Sequence, residues 1–345
     1  MEDGFLTLMQ RLGPDLAAEM ARRALVLERI AALEPVGRRQ LAARLNLPER
    51  EIRSIATYLR EEGFIHLDAA GMSLTEKAKT LLPSAKEFSR AMRGLVSMET
   101  QLATMLHIGR VCLVAGDYDE DARVLQDIGR VAAQRVRMLL KSGSTLAVTG
   151  GSTMAEVARE LQTPVPMDVM VVPARGGLGR AVETQANTLA AEIAHRLGGH
   201  HRLIHLPDHL DASAMQEMRK LPDVQEALGL LQHADVILHG IGRADDMARS
   251  RQMPLPMCKE LLAKGAVGEA LGYYFSAAGD CIYAASSVGV DLARLSPNCQ
   301  MVAVAAGRRK GQAILAVLRG CKHAVLVTDE GAAQEMLRLM EKDNQ

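Results

Sequence analysis

The stretch TLAVTGGSTM, residues 145–154, joins a short apolar run to paired glycines and then to a segment with helical character. A strand that passes through a tight glycine turn into a helix presents several backbone N–H groups to one point, where an anion binds. The spacing matches neither the dinucleotide-binding G-x-G-x-x-G pattern nor a Walker A loop, so it favours a phosphate group over a nucleotide. The alternative is an ordinary strand-to-helix turn in which glycine only suits the backbone. The candidate phosphate ligands are Thr149, Gly150, Gly151, Ser152 and Thr153.

Six further short apolar runs lie on either side of this stretch, and helical segments alternate with them. Such alternation predicts a mostly parallel sheet covered by helices, an α/β fold of the Rossmann-like type. In open sheets of this kind, ligands bind beyond the carboxyl ends of the strands. The seven predicted strands cover residues 111–115, 145–149, 169–173, 202–206, 236–240, 301–305 and 324–328.

Polar side chains follow several of these predicted strands. Arg175 stands beside two glycines, where a guanidinium can hold a phosphate, and the amides of Gln185 and Asn187 at the next helix can address hydroxyl groups. Cations together with a carboxylate suit a polyhydroxylated, phosphorylated ligand. The alternative for each arginine is that it is a solvated surface charge. The candidates at later strand ends are Arg251, Glu269 and Lys310.

The region upstream of the predicted sheet has the pattern of a helix-turn-helix. An amphipathic helix is predicted over 16–33, with Leu16 and Met20 on its apolar face. A short helix containing Leu41 and Leu45, a break at 46–48 and a helix over 49–59 follow it. Residues 37–60 carry six arginines and two glutamates, a local charge of +4. The candidate contacts to double-stranded DNA are Arg38, Arg39, Arg50, Arg53, Thr57 and Arg60.

Two short strands are predicted at 64–68 and 72–74, in the position of the wing that often follows a recognition helix. A helix predicted from Pro83 to about His107 could link two domains, pair with a partner chain or pack on its own domain. We therefore predict a DNA-binding domain at 1–82, a linker helix at 83–109 and an effector domain at 110–345.

Composition limits the classes of protein to which the chain can belong. Its 345 residues exceed the usual size of one core, and 41 basic residues balance 41 acidic ones, so any DNA-binding surface must be local. Aromatic residues make up only 3% of the chain, which disfavours single-strand and RNA binding by base stacking. Five scattered cysteines and the lack of a signal or membrane-spanning pattern predict a cytoplasmic protein.

The histidine-rich stretch 200–211 invites a metal hypothesis, but Pro207 and a predicted strand divide it. No metal site and no cofactor are therefore predicted. An enzymatic alternative is a phosphosugar isomerase or deaminase that uses Glu269 or Asp245 as a general base. The arginine-rich outer face of residues 49–60 disfavours that alternative, and no serine nucleophile elbow is present.

The chain resembles the SorC family of bacterial sugar-responsive transcription regulators over nearly its whole length. The residues that carry this resemblance are 34–39, 148–153, 172–179, 185–187, 269–275 and 327–333. The resemblance implies a winged-helix DNA-binding domain and an effector domain similar to glucosamine-6-phosphate deaminase and the phosphosugar isomerases. For the subgroup that it resembles, it implies a repressor of glycolytic genes whose effector is fructose 1,6-bisphosphate.

Carried over by position, the resemblance implies that the 150–153 loop and Lys310 hold one phosphate and that Arg175 holds another. Gln185 and Glu269 are then expected to meet sugar hydroxyls. Where the family subgroup has adjacent arginines, this chain has Arg249-Ser250-Arg251, and Arg251 is the favoured phosphate ligand. Because one recognition helix reads few base pairs, a homo-oligomer, dimer or tetramer, is expected.

Overall fold

A computed structural model describes residues 8–9, 11–45, 47–176, 181–206, 212–285 and 288–343. Contacts divide the chain into two compact units, one up to Ser97 and one from Met98 onward. The boundaries predicted at residues 82 and 109 separate the DNA-binding domain, the linker helix and the effector domain, and they stay predictions.

The first unit is a small helical domain with one β-hairpin. Its apolar core includes Ile30, Leu41, Ile52 and Met72, all fully buried. Gly71 lies so close to the backbone of Val36 that a Cβ there would approach its atoms at 2.8 Å. The predicted pair of helices and the hairpin both form, although Asn46 of the turn lies outside the described residues. The elements are α1 (Pro14–Leu33), α2 (Arg38–Leu45), α3 (Glu49–Glu61), β1 (Ile65–Leu67), β2 (Met72–Leu74) and α4 (Glu76–Met92).

The apolar face predicted for α1 is wrong in its first half. Leu16 and Met20 are 65% and 42% exposed, whereas Ala17 and Ala24 are buried. The reason is that α1 packs closely along α4, and small side chains allow that approach. Helical spacing alone does not show which of two apolar stripes faces the core.

The single helix predicted from Pro83 to about His107 is also wrong. It is divided at Gly94, whose φ of 71° lies in the left-handed region that glycine adopts readily. The first part is α4, which begins after Thr75 because the Thr75 hydroxyl accepts a hydrogen bond from Ala78 N at 3.2 Å. Pro83 therefore lies inside α4. The second part is α5 (Leu95–Leu106).

The second unit is built on a parallel sheet, which has seven strands within the described residues. Along β4, Leu146 and Val148 enter the core on one face while Ala147 enters the core on the other. Both faces are therefore covered, as the sequence predicted for an α/β fold. In spatial order the strands are β3 (Arg110–Val114), β13 (Val325–Asp329), β12 (Gln300–Val304), β7 (Val236–Gly240), β4 (Thr145–Val148), β5 (Met170–Pro173) and β6 (His200–His201).

One predicted strand is misplaced. Residues 202–206 form no regular strand, and the edge strand is the two-residue β6 that pairs with Met170 and Val171. The preceding helix ends at Gly198, which has a left-handed conformation. The chain therefore turns and begins to pair with β5 two residues earlier than predicted. Of the histidine-rich stretch, residues 207–211 lie outside the described residues.

The other helices of the second unit pack on this sheet or on the smaller sheet described next, and one short 3-10 turn, Arg308–Lys310, follows β12. None of the helices in the described ranges is long and apolar enough to cross a membrane. They are α6 (Val124–Leu139), α7 (Ser152–Glu160), α8 (Ala186–Leu197), α9 (Ala212–Met218), α10 (Pro222–Gln232), α11 (Ala244–Ser250), α12 (Leu255–Ala263), α13 (Gly311–Gly320) and α14 (Glu330–Asp343).

A smaller antiparallel sheet lies next in the chain after β7. Its order is β11 (Cys281–Ala284), β10 (Tyr273–Ser276), β9 (Ala266–Ala270) and β8 (Gly242–Arg243). Leu271 and Gly272 form the turn between β9 and β10, and both have positive φ, 56° and 91°. A two-residue loop of this conformation matches the twist of the strands that it joins.

His239 of β7 and His323, which precedes β13, form a buried pair of histidines. His239 Nε2 and His323 Nε2 lie 2.9 Å apart, and His323 Nδ1 lies 2.8 Å from Cys321 O. Burial lowers the pKa of His239 to about 3, with a further contribution from His323, and burial lowers the pKa of His323 to about 4.

This pair predicts an acid-sensitive stability. Both histidines stay neutral in the folded protein, whereas in the unfolded chain they take up protons below a pKa of about 6.5. The contribution of the pair to the free energy of unfolding is therefore fully present above pH 6.5 and is lost as the pH drops toward 3. We expect a loss of about 2 kcal/mol between pH 6.5 and 5.5 in denaturant titrations. His66→Gln, at an exposed site, should keep that dependence, and a flat profile would contradict the predicted burial.

Candidate functional site

Thr149 directly follows β4 at the carboxyl edge of the sheet. Its N–H donates to Leu238 O at 3.0 Å, and its hydroxyl accepts from Gly240 N at 3.2 Å. Both partners belong to β7, so this side chain joins the ends of two neighbouring strands. Thr149 was predicted as a phosphate ligand, and the contacts found for it are structural.

The two glycines bring a second segment against this turn. Gly151 N donates to Thr184 O at 2.8 Å, and a Cβ on Gly150 would lie 2.5 Å from the same oxygen. Helix α7 begins directly after Gly151, and α8 begins directly after Gln185. The starts of two helices therefore lie side by side, and each presents backbone N–H groups and the positive end of a helix dipole. Gln185, predicted as a sugar ligand, stands at this junction together with Ser152 and Thr153.

Replacement of Gly150 by alanine tests how tightly this junction is packed. The added methyl group must displace the backbone of Thr184 and Ala186, so we expect Gly150→Ala to lower the free energy of unfolding by about 1–3 kcal/mol. Gly229→Ala is the matched control, because no atom lies within 4 Å of a Cβ there and the residue is inside α10. That variant should gain up to about 1 kcal/mol, and equal effects of both changes in denaturant titrations would refute the tight packing.

Glu269 is the centre of a second cluster. It lies opposite Gly242 of β8 and opposite Tyr274 of β10. Its Oε1 accepts hydrogen bonds from Gly272 N and from Arg251 Nη2, each at 2.7 Å. The Glu269 side chain is 4% exposed and that of Arg251 is 23% exposed, so this ion pair is shielded from water.

Arg175 reaches the same cluster. Its backbone pairs with Gly289, and its Nη1 would lie 3.0 Å from a Cβ on Gly272. Gly272 thus adjoins the guanidinium group of Arg175 and holds the carboxylate of Glu269 through its own N–H. The structure therefore brings together Arg175, Arg251 and Glu269, three of the predicted ligands.

The geometry distinguishes Arg249 from Arg251, the two arginines between which the sequence pattern did not decide. Arg249 is 70% exposed and pairs with Asp245 at 3.2 Å and Asp246 at 2.6 Å on the surface of α11. Arg251, at the C-terminus of that helix, instead enters the cluster around Glu269.

The asparagine beside Gln185 has a different position from the one expected. Asn187 is buried, and its amide exchanges two hydrogen bonds with the backbone of Ile204, so it is structural.

Lys310 follows β12 on the turn Arg308–Lys310. Burial lowers its pKa, against the opposing effect of the carboxylates of Asp119, Asp246 and Asp329. The two arginines that precede Lys310 have other partners, since Arg308 pairs with Asp117 and Arg309 with Asp119. Strands β12, β7, β4 and β5 are neighbours, so Lys310, the 150–153 loop and Arg175 all follow the carboxyl ends of strands of one sheet. Glu269 instead lies within β9 of the smaller sheet.

The predicted DNA-binding residues share one property, which is exposure. Glu49 lies between two of them, 3.5 Å from Arg39 and 3.4 Å from Arg53. The opposite face of α3 contributes Ile52, Ile55 and Leu59 to the core. The exposed set is Arg38, Arg39, Arg50, Arg53, Thr57 and Arg60.

Two features of the site escaped sequence reasoning. The Leu271-Gly272 turn that positions Glu269 resembles an ordinary loop in sequence, although glycine at a two-residue hairpin is a recognisable pattern. Tyr274 lies in the stretch 269–275 that carries the resemblance, and no role was predicted for it. Among the described residues, no group of three or more histidine, cysteine, aspartate or glutamate side chains is arranged to hold a metal ion.

Comparison with known proteins covers both units. Residues 20–89 match the model of the CggR N-terminal DNA binding domain, and residues 90–338 match the Sugar-bind model of a sugar-binding domain. Two curated relatives, both named central glycolytic genes regulator, are similar over almost the whole chain. The relative from Priestia megaterium is 38% identical over 96% of this chain and 98% of its own length. The relative from Bacillus subtilis is 37% identical over 95% and 97%.

A solved structure of a SorC family transcriptional regulator from Enterococcus faecalis is 37% identical. It covers 70% of this chain and 99% of its own length, with a TM-score of 0.65. A DNA-binding unit joined to a sugar-binding unit defines a transcription regulator rather than an enzyme, in agreement with these relatives. The chain belongs to the SorC family, together with the central glycolytic genes regulators.

Proposed function

We propose that this regulator represses glycolytic genes and that fructose 1,6-bisphosphate, bound at the carboxyl edge of the sheet, controls it. The observation that carries this proposal is the presence of two separate cationic places. One consists of the adjoining starts of α7 and α8, and the other consists of Arg175 and Arg251 around Glu269. We assign Lys310, which follows β12, to the first of them. Two anion-binding places suit a ligand with two phosphate groups.

In this proposal, each part of the ligand has its own partners. Lys310 and the backbone N–H groups of the 150–153 loop hold one phosphate, except for Gly151 N–H, which already donates to Thr184 O. Arg175 and Arg251 hold the other phosphate. Gln185 and Glu269 meet the sugar hydroxyls between them. Because Arg251 already pairs with Glu269 at 2.7 Å, the second phosphate must compete for that guanidinium. Arg251 lies directly after α11, which also carries Asp246 near Lys310, so both phosphates would act on one helix.

The DNA-binding half of the proposal rests on α3. We infer a winged-helix domain in which α3 enters the major groove of double-stranded operator DNA and the β1–β2 hairpin is the wing. A homo-oligomer, dimer or tetramer, would present two or more such domains to spaced half-sites. We also infer that the effector unit has the phosphosugar isomerase type of fold and that the protein is cytoplasmic, which its five free cysteines support.

The test measures the binding of duplex DNA and of the sugar phosphate to the same protein. Duplex DNA selected from a random pool is first titrated with protein, and fructose 1,6-bisphosphate is then added during measurement of fluorescence anisotropy. We expect the bisphosphate to change the DNA affinity, whereas fructose 6-phosphate and glucose 6-phosphate should have weaker effects. Linkage requires that DNA change the affinity for the sugar by the same factor. Selection of no duplex, or an affinity indifferent to all three sugars, would refute the proposal.

A further inference from the structure

Tyr274 lies beside the effector cluster without a role in what has been described so far. It is fully buried, and its ring packs among α11, α12 and β9 in a small apolar cluster that includes Ala248 and Leu261. Its hydroxyl has no hydrogen-bond partner within the part of the chain that the structure describes. A buried hydroxyl that forms no bond is costly and therefore calls for an explanation.

The neighbours of Tyr274 point to the ligand. Tyr274 and Glu269 are directly opposite in the antiparallel pair β9–β10, and opposite residues project from the same face of a sheet. Glu269 holds Arg251, whose Nε is also buried and, among the described residues, has no partner. One unsatisfied donor on the guanidinium and one unsatisfied phenol thus adjoin the same carboxylate.

We propose that Tyr274 is a positioning residue of the effector site, whose hydroxyl donates to Glu269 in place of Arg251 only when a phosphate group is bound. This proposal rests on the proposed function. In the free protein, Arg251 is held by Glu269. When a phosphate draws the guanidinium away, Glu269 Oε1 loses one donor, and the phenol O–H is the nearby group that can replace it. Tyr274 would therefore favour the bound arrangement and do nothing for the free one.

This role predicts a preference among ligands. Tyr274 acts through the guanidinium that meets the second phosphate, so it should matter for a bisphosphate and much less for a monophosphate. A tyrosine with a purely structural role would affect both ligands equally, because it would act through the stability of the fold.

The experiment compares the full-length wild type with Tyr274→Phe and with Tyr283→Phe. Tyr283 belongs to the adjoining strand β11, and its ring lies 5.9 Å from that of Tyr274, so it controls for loss of a neighbouring phenol. Calorimetric titration with fructose 1,6-bisphosphate and fructose 6-phosphate gives the two affinities, and urea titration without ligand gives the stability. For Tyr274→Phe, we expect bisphosphate affinity to fall about tenfold, as loss of one hydrogen bond predicts, with unchanged or slightly greater stability. Monophosphate affinity and the behaviour of Tyr283→Phe should stay near those of the wild type.

The alternative outcomes separate this inference from the function on which it rests. Wild-type affinity in Tyr274→Phe, or equal losses for both sugars accompanied by lower stability, would overturn the positioning role and leave the effector assignment intact. A wild type that binds neither sugar would overturn the proposed effector and the role of Tyr274 with it.

Discussion

Arg50→Ala combined with Arg53→Ala is expected to lower the affinity for selected duplex DNA by roughly 100-fold or more, because each lost guanidinium contact is worth about 1–3 kcal/mol. Both side chains are exposed on the face of α3 opposite the core residues Ile52 and Ile55. Their removal therefore creates no cavity, and the free energy of unfolding should change little. The slope of log affinity against log salt concentration should also decrease by about two, since each arginine that meets a phosphate releases about one counterion.

The matched control removes the same charge elsewhere. Arg137 and Arg159 are exposed on the sugar-binding unit, and their double alanine variant has the same net charge as the DNA-binding variant. Fluorescence anisotropy with one duplex compares the two. If both variants lose affinity equally, the effect is one of overall charge, and α3 is not the recognition helix. Titration of the Arg50/Arg53 variant with fructose 1,6-bisphosphate should give the wild-type affinity.

Lys310→Met is expected to abolish about half or more of the stabilisation that fructose 1,6-bisphosphate gives. At about 100 times its dissociation constant, the ligand should add roughly 2.7 kcal/mol to the free energy of unfolding of the wild type. Loss of a charge-assisted hydrogen bond of about 1.5–3 kcal/mol weakens binding by at least about tenfold. The same ligand concentration then adds at most about 1.4 kcal/mol. Thermal unfolding monitored with and without the sugar measures both values.

Methionine is chosen because it fills the space of a lysine without its charge. Burial already penalises the charged form of Lys310, as its lowered pKa shows, so the ligand-free variant should be no less stable than the wild type. Lys264→Met is the control, since Lys264 is exposed and pairs only with Glu260 in the described residues, 2.7 Å away. An undiminished ligand response in Lys310→Met would remove this lysine from the phosphate site.

The position of the candidate site could be predicted from the sequence, whereas the pairing of its side chains could not. Lys310 was found because polar residues that follow an apolar run lie near a strand end. Glu269 lies inside β9, not at a strand end, and its choice as a sugar ligand came from the resemblance. The choice of Arg251 over Arg249 had only the resemblance to support it, because two arginines at one helix end are equivalent by composition. Packing separates them, since one meets surface aspartates and the other a buried carboxylate.

By itself, the sequence determined those features that depend on neighbours in the chain. Apolar spacing specified the two helices of the first unit, the hairpin and six of the seven strands of the parallel sheet within one or two residues. Local charge specified the exposed arginine face of α3. These predictions succeed because periodicity and turn chemistry act over a few residues.

The tertiary structure alone decided which distant groups meet. In it, Leu16 and Met20 are exposed, and a predicted helix is divided at Gly94. Asn187 forms hydrogen bonds with the backbone of Ile204, and Tyr274 lies opposite Glu269. Each outcome depends on the register of a strand pair or on how closely two helices approach. The physical reason is that packing and cross-strand pairing join residues far apart in sequence, so no local pattern encodes their partners.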